Sequence, residues 1–163
     1  MSNWTSKPQE IKNLFNPAFC GWILFEVVKS FHSEKGEGMP TPLFFLILPL
    51  VLHKKTRESL PARKNSNLRL WTSENASIMI DFGTRAQRMK KISYLALSQM
   101  IVAKKLKIEN SKIVPSGSLR GVNSLKSLST EISEIQKKTL FMGKWLAHSG
   151  HVASIYTSFG VRP

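Results

Sequence analysis

Apolar residues recur along this chain at helical spacing, except at one place where they run together without a break. Asn16-Pro17 reads as a helix start, because Asn caps exposed N–H groups and Pro suits the first helical position. Behind it, Phe19, Ile23, Val27 and Phe31 recur at four-residue spacing, and Cys20, Leu24 and Val28 widen the stripe. This predicts a helix to about His32, with Gly21 opposite the stripe. Ser33–Thr41, with its glycines and Pro40, reads as a loop. Thr41-Pro42 then repeats the pattern of a cap followed by proline. Leu43–Leu52 is apolar on nearly all sides and predicts a helix inside the fold, where Pro49 removes one backbone donor. At His53 the chain switches abruptly to positive charge. His53–Leu60 is expected to leave the core, and Pro61–Asn67 reads as a basic loop.

The second half is less regular. Leu68, Trp71 and Ile78 predict a shorter helix broken near Asn75. Ser77–Arg88 alternates like a strand at Ile78, Ile80 and Phe82, yet fits a helix through Met79, Phe82 and Ala86; helix is the favoured reading. Ile92–Ala103 predicts a helix with Leu95, Leu97, Met100, Ile101 and Val102 apolar. Between 105 and 115, alternating Leu106 and Ile108, a turn-like Glu109-Asn110-Ser111 and β-branched Ile113 and Val114 predict a β-hairpin. Residues 117–129 read as a Gly/Ser-rich linker. Ser129 or Thr130 caps the last long helix, with Glu131 and Glu134 suited to its first turn. Ile132, Ile135, Leu140, Phe141, Met142, Trp145 and Leu146 supply that helix's apolar side, and His151–Phe159 predicts one more short helix. The expected fold is mainly α with a small β-hairpin: a single winged-helix-like domain over 16–163, behind a polar lead-in at 1–15 in which Trp4 and Leu14 stand out.

Charge adds a direction to this outline. The formal net charge is +14. Residues 51–126 hold nearly all the excess, with sixteen Lys or Arg against four acids. Such a surface favours nucleic acid, an acidic protein face or a membrane surface. The apolar run is about half the length of a membrane span and contains Pro49, so no membrane association is expected. Residues 1–13 have no apolar segment of the signal-peptide kind. A lone cysteine, Cys20, set beside Phe19 and Trp22, fits a buried thiol in a reducing compartment. Together these features lead us to expect a cytoplasmic protein.

The sequence offers no catalytic constellation. It contains no G-x-x-x-x-G-K-[ST] phosphate loop, no G-x-G-x-x-G and no G-x-S-x-G elbow. Asp81, the only aspartate, reads as a helix cap or a partner for Arg85 four residues on. His148 and His151 lie three apart but lack neighbouring acids in sequence, and read as ordinary surface or capping histidines. No enzyme activity and no cofactor are therefore expected. Three basic patches remain as candidate nucleic-acid or partner contacts. The first is Lys54, Lys55, Arg57, Arg63 and Lys64; the second is Arg85, Arg88, Lys90 and Lys91; the third is Lys104, Lys105, Lys107 and Lys112 on the hairpin. In a winged helix the second and third would flank the recognition helix. Trp71 and Tyr94, interleaved with them, are expected in the core rather than as base-stacking platforms.

Three stretches taken together carry a family resemblance. Asn16-Pro17-Ala18-Phe19-Cys20, the run from Met39 to Leu60, and Ser154-Ile155-Tyr156 through Gly160-Val161-Arg162-Pro163 resemble the middle component of bacterial three-component ABC systems, which overlap with Lamassu-type anti-phage defence. The resemblance implies a small non-enzymatic subunit placed between an ATPase related to the chromosome-maintenance and Rad50-like proteins and a separate, nuclease-like effector. Contact with DNA would come through that complex. The competing expectation is a free-standing winged-helix DNA-binding regulator.

Overall fold

A helix with no polar face must be enclosed, and the chain is arranged accordingly. The computed structural model describes residues 16–119 and 129–162. Helix α1 (Pro17–Lys35) starts where Asn16 accepts a hydrogen bond from the Ala18 N–H at 2.8 Å, and ends at left-handed Gly36. Strand β1 (Met39–Pro40) leads directly into α2 (Thr41–Val51), the continuous apolar run, which is buried along most of its length with Pro49 inside it. The short helices α3 (Lys54–Ser59), α4 (Leu68–Glu74) and α5 (Ala76–Met79) follow. The long helix α6 (Phe82–Val102) then delivers the chain to the hairpin of β2 (Leu106–Glu109) and β3 (Lys112–Pro115). Helices α7 (Thr130–Ala147) and α8 (Val152–Ser158) complete the described chain. The result is mainly helical, a single small domain with one three-stranded antiparallel sheet.

Helix α1 packs against α7 on one side and α6 on another, and α2 closes the gap between them. Two glycines permit these approaches. A Cβ on Gly143 of α7 would lie 2.5 Å from the Val27 carbonyl oxygen and 2.8 Å from the Phe31 nitrogen, so the two backbones touch here. A Cβ on Gly21 would meet the Met100 Cε at 2.5 Å. The expectation that Gly21 sits away from the apolar stripe is thus corrected: it is buried against α6, and its lack of a side chain is what lets Met100 in.

The sheet has the order β1-β3-β2. Asn110 and Ser111 both have positive φ (51° and 61°) between the paired Glu109 and Lys112, the geometry of a two-residue hairpin turn. Lys104 also has positive φ (57°), at the end of α6, where Lys105 N–H bonds the Met100 carbonyl at 2.8 Å and turns the chain into β2. Strand β1 lies within the stretch expected to be loop. Two residues leave no alternation to read, and the pairing of Met39 with Ile113 is long-range. Nor does Thr41 cap α2: its hydroxyl donates to the Ser111 carbonyl at 2.7 Å, tying the helix start to the hairpin turn. The order helix, short strand, helices, long helix and hairpin is compatible with a winged-helix arrangement. The sequence-predicted lead-in, including Trp4 and Leu14, and most of the predicted linker lie outside the described residues.

An aromatic chain fastens the remaining pieces. Trp71 of α4 meets Trp145 of α7 edge-on at 5.3 Å, and Phe159 stacks on Phe82 of α6 at 4.9 Å. The Trp145 indole N–H donates to the Ser66 carbonyl at 2.9 Å and that of Trp71 to the Ser59 carbonyl at 2.7 Å. The loop at 61–67 is held at both ends by these bonds.

The contrast between the two glycines is testable. Gly143→Ala forces backbone apart and is expected to cost about 1–3 kcal/mol. Gly21→Ala displaces only the flexible tip of Met100, and the better helix propensity of Ala offsets the strain, leaving a change under about 1 kcal/mol. Urea unfolding of both variants checks this; equal costs would reject it.

Candidate interaction surface

The thirteen cations read as candidate contacts divide by what they already touch. Arg57 is fully buried. Its guanidinium donates to the Val51 carbonyl at 2.9 Å and to Glu131 of α7 at 3.1 Å, and its Nε lies 3.6 Å from Glu134. It therefore offers no surface to a phosphate, and the expectation that 53–60 leaves the core is corrected at Thr56 and Arg57. The physical reason is that the exit of an all-apolar helix leaves carbonyls needing a donor, and Arg57 supplies one. Glu131 and Glu134 sit in the opening turns of α7, and Ser129 caps that helix by accepting from the Ile132 N–H at 3.1 Å.

Arg85 is also committed internally. It pairs with Asp81 at 2.8 Å, as the four-residue spacing predicts, and donates to the Thr56 hydroxyl at 3.0 Å, joining α6 to α3. Burial pulls its pKa down while Asp81 pushes it back up. Asp81 precedes α6 without capping it through its side chain. Burial, followed by the nearby Arg85 charge, lowers the pKa of His53, which fits the acceptor role of its Nδ1 toward the Thr56 N–H at 3.4 Å.

Four of the remaining cations face acids. Lys54 lies 3.9 Å from Glu58, Lys107 lies 2.6 Å from Glu109, Lys112 pairs with Glu37, and Lys64 pairs with Glu34. Lys105 donates to the Ser118 carbonyl at 2.7 Å. Glu34 also meets His148 at 2.8 Å, so the acid near this histidine comes from α1, far away in sequence. Hydrogen bonds from His148 and then Lys64 hold the Glu34 carboxyl down to about 2. Among the described residues, Lys55, Arg63, Arg88, Lys90, Lys91 and Lys104 are exposed without an ion partner. Three of these six lie close together on α6.

That helix carries more than charge. Its core face is Phe82, Met89, Ser93, Ala96, Leu97 and Met100. Arg88, Lys91, Leu95, Ser98 and Val102 form an outer stripe at spacings of three and four, with Leu95 46% and Val102 83% exposed. Tyr94 is 51% exposed, correcting its expected place in the core, whereas Trp71 is buried as expected. Leu95, Ile101 and Val102, counted among the apolar residues of this helix, face out because a single helix face has room only for the six-residue set that includes Met89, Ala96 and Met100. Between the two stripes, Tyr94 contacts the Phe45 ring at 4.7 Å on the wall of a groove of about 800 Å³. The two sets of apolar positions in Ile92–Ala103 were the available signal for this surface: one helix had more apolar residues than one face can bury.

Burial pushes the Cys20 thiol up to about 12, away from the thiolate that reactivity requires. Among the described residues, no helix is long and apolar enough to cross a membrane, and no three His, Cys, Asp or Glu side chains form a cluster that could hold a metal ion.

An exposed helix that joins apolar and cationic residues is the kind of surface that can mark an interaction site. The family follows from comparison: residues 4–163 match the ABC-three component (ABC-3C) system Middle Component 3, and the chain belongs to that family. No curated protein and no solved structure matches.

Two predictions follow from these contacts. Arg57→Met leaves the α2 carbonyls without their donor and Glu131 and Glu134 without their cation; with both carboxylates partly exposed, the expected cost is about 1–3 kcal/mol in urea unfolding, and a loss below about 1 kcal/mol would show that the tie is dispensable. For Glu34 the folded-state pKa lies below the ordinary 4.5, so its contribution is fully present above pH 4.5 and disappears as pH falls through about 2. Glu34→Gln should therefore flatten the loss of stability between those two values; an acid limb identical to that of the unaltered chain would contradict the Glu34 assignment.

Proposed function

We propose that this chain is a non-enzymatic assembly subunit that links an ABC-type ATPase, related to the chromosome-maintenance and Rad50-like proteins, to a nuclease-like effector. The setting is a Lamassu-type anti-phage complex in the bacterial cytoplasm. Membership of the Middle Component 3 family supports a place within an ABC-three component system. The observation that carries the docking role is the outer stripe of α6, where Leu95 and Val102 stand in solvent beside Arg88 and Lys91. Exposed apolar residues of this size, clustered on one rigid helix, suit a protein interface with charged residues at its rim.

The second reading, a winged-helix DNA reader, rests on the element order and on the unpaired cations of α6. Base readout by a recognition helix needs polar side chains along the groove-facing surface. Here the C-terminal half of α6 presents Leu95, Ile101 and Val102 instead. On this reading Arg88 and Lys91 are the residues that would supply DNA contact by this subunit, as phosphate contacts within the complex.

Co-expression with the system's other components tests both parts. Leu95→Asp with Val102→Asp should lose co-purification of a partner, while the variant alone stays folded by circular dichroism. Arg88→Glu with Lys91→Glu should leave assembly intact and reduce the salt slope of DNA binding by the complex by about two. A chain that purifies alone and binds one duplex tightly at physiological salt would overturn the assembly reading.

A further inference from the structure

The groove beside α6 is separate from the outer stripe, and its chemistry is specific. Its floor and walls are apolar: Phe45, Leu46, Tyr94, Ile108 and Val161. Two of the hydroxyls that line it are already engaged. The Tyr156 hydroxyl donates to the Pro42 carbonyl at 2.6 Å, and the Thr41 hydroxyl to that of Ser111. Two cations stand at the groove, Lys90 and Arg162, both exposed and without an ion partner among the described residues. No Asp or Glu lines it. Resting on the reading of this chain as an assembly subunit, we infer that the groove takes a peptide segment of a partner protein, with an apolar anchor flanked by acidic residues.

Three arguments select that occupant. A groove of about 800 Å³ accommodates two or three large side chains, within the usual range for such sites. A nucleic acid would set phosphates against a mostly apolar lining whose donors beside Lys90 and Arg162 are few, Gln87 and the Tyr94 hydroxyl, whereas an aliphatic or aromatic anchor is stabilised there by burial. Acidic flanks on the peptide would meet Lys90 and Arg162 on the rim, where charge complementarity guides orientation and raises the on-rate. The site also rests on rigid elements. Four parts of the chain converge on it: the start of α2, the first half of α6, the hairpin, and Tyr156 with Val161 and Arg162 at and beyond α8; the start of α2 and the hairpin turn are tied together through Thr41 and Ser111.

The test uses an array of overlapping short peptides tiling the system's other components, probed with the full chain. Captured peptides should carry a Phe, Leu or Ile anchor beside Asp or Glu. Their affinity by fluorescence anisotropy should fall about tenfold or more for Lys90→Glu with Arg162→Glu, and likewise for Ile108→Asp. Arg88→Glu with Lys91→Glu, on the neighbouring stripe, should leave it unchanged. Circular dichroism melts keep loss of fold apart from loss of binding, because all the altered side chains are exposed. An array without captured peptides, captured peptides that are basic or neutral, binding indifferent to the groove variants, or displacement by a short DNA duplex would each overturn the inference. None of these outcomes touches the assembly role, which rests on the outer stripe and its own co-purification test.

Discussion

The requirement that Thr41–Val51 be surrounded governs the rest of the structure. A helix this apolar has no face to give to water, so it needs neighbours on most sides. Helices α1, α6 and α7 supply them. The enclosure creates a second requirement at the helix exit, where the Val51 and Leu52 carbonyls end inside the protein. Arg57 turns back to donate to both, at 2.9 and 3.4 Å. A buried guanidinium in turn needs anions, and Glu131 and Glu134 bring the first turns of α7 to it. One constraint thus reaches from the apolar run to a helix more than seventy residues later. It also removes the most central cation of the first basic patch from any external role.

The same reasoning sorts the surface. A net charge of +14 invites the view that every lysine and arginine is a contact. The fold distributes them otherwise. Arg57 and Arg85 brace elements, while Lys64 and Lys112 fasten α1 and the β1 approach through Glu34 and Glu37. Residues 1–50 are neutral overall, yet two of their four acids, Glu34 and Glu37, are spent on cations from the middle of the chain. What remains unpaired on α6 is a small set adjoining apolar surface. Charge excess by itself favours anions in general; its position beside Leu95, Tyr94 and Val102 is what supports the proposed protein partner.

Legibility in the sequence followed the range of the interaction. Local signals were readable: the Asn16 and Ser129 caps, the Asp81–Arg85 pair, the helix break at Asn75 and the hairpin turn all depend on residues a few positions apart. The buried helix was readable as well, because its composition admits no other place. Strand β1 was not, since its partner Ile113 lies far along the chain and two residues show no period. Gly21 and Gly143 could not be interpreted for the same reason: their meaning lies in Met100 and in the Val27 backbone. The candidate site was legible as a list of cations but not as a surface. Pairing partners such as Glu34 for Lys64 are thirty residues away, and the groove is formed by four separated segments.

Helix α6 shows why a list and a surface differ. A helix buried on one side needs roughly one apolar stripe, and Phe82, Met89, Ala96, Leu97 and Met100 provide it. Tyr94, Leu95, Ile101 and Val102 are therefore surplus to folding; their exposure is unfavourable in an isolated chain and lowers solubility. The high net charge counters that tendency by keeping copies apart. A chain that combines surplus apolar side chains on a rigid helix with like charge over the same face is poorly suited to associating with itself. It suits the proposed protein partner, which would cover the apolar side chains while Arg88 and Lys91 stay at the rim, where phosphate can reach them.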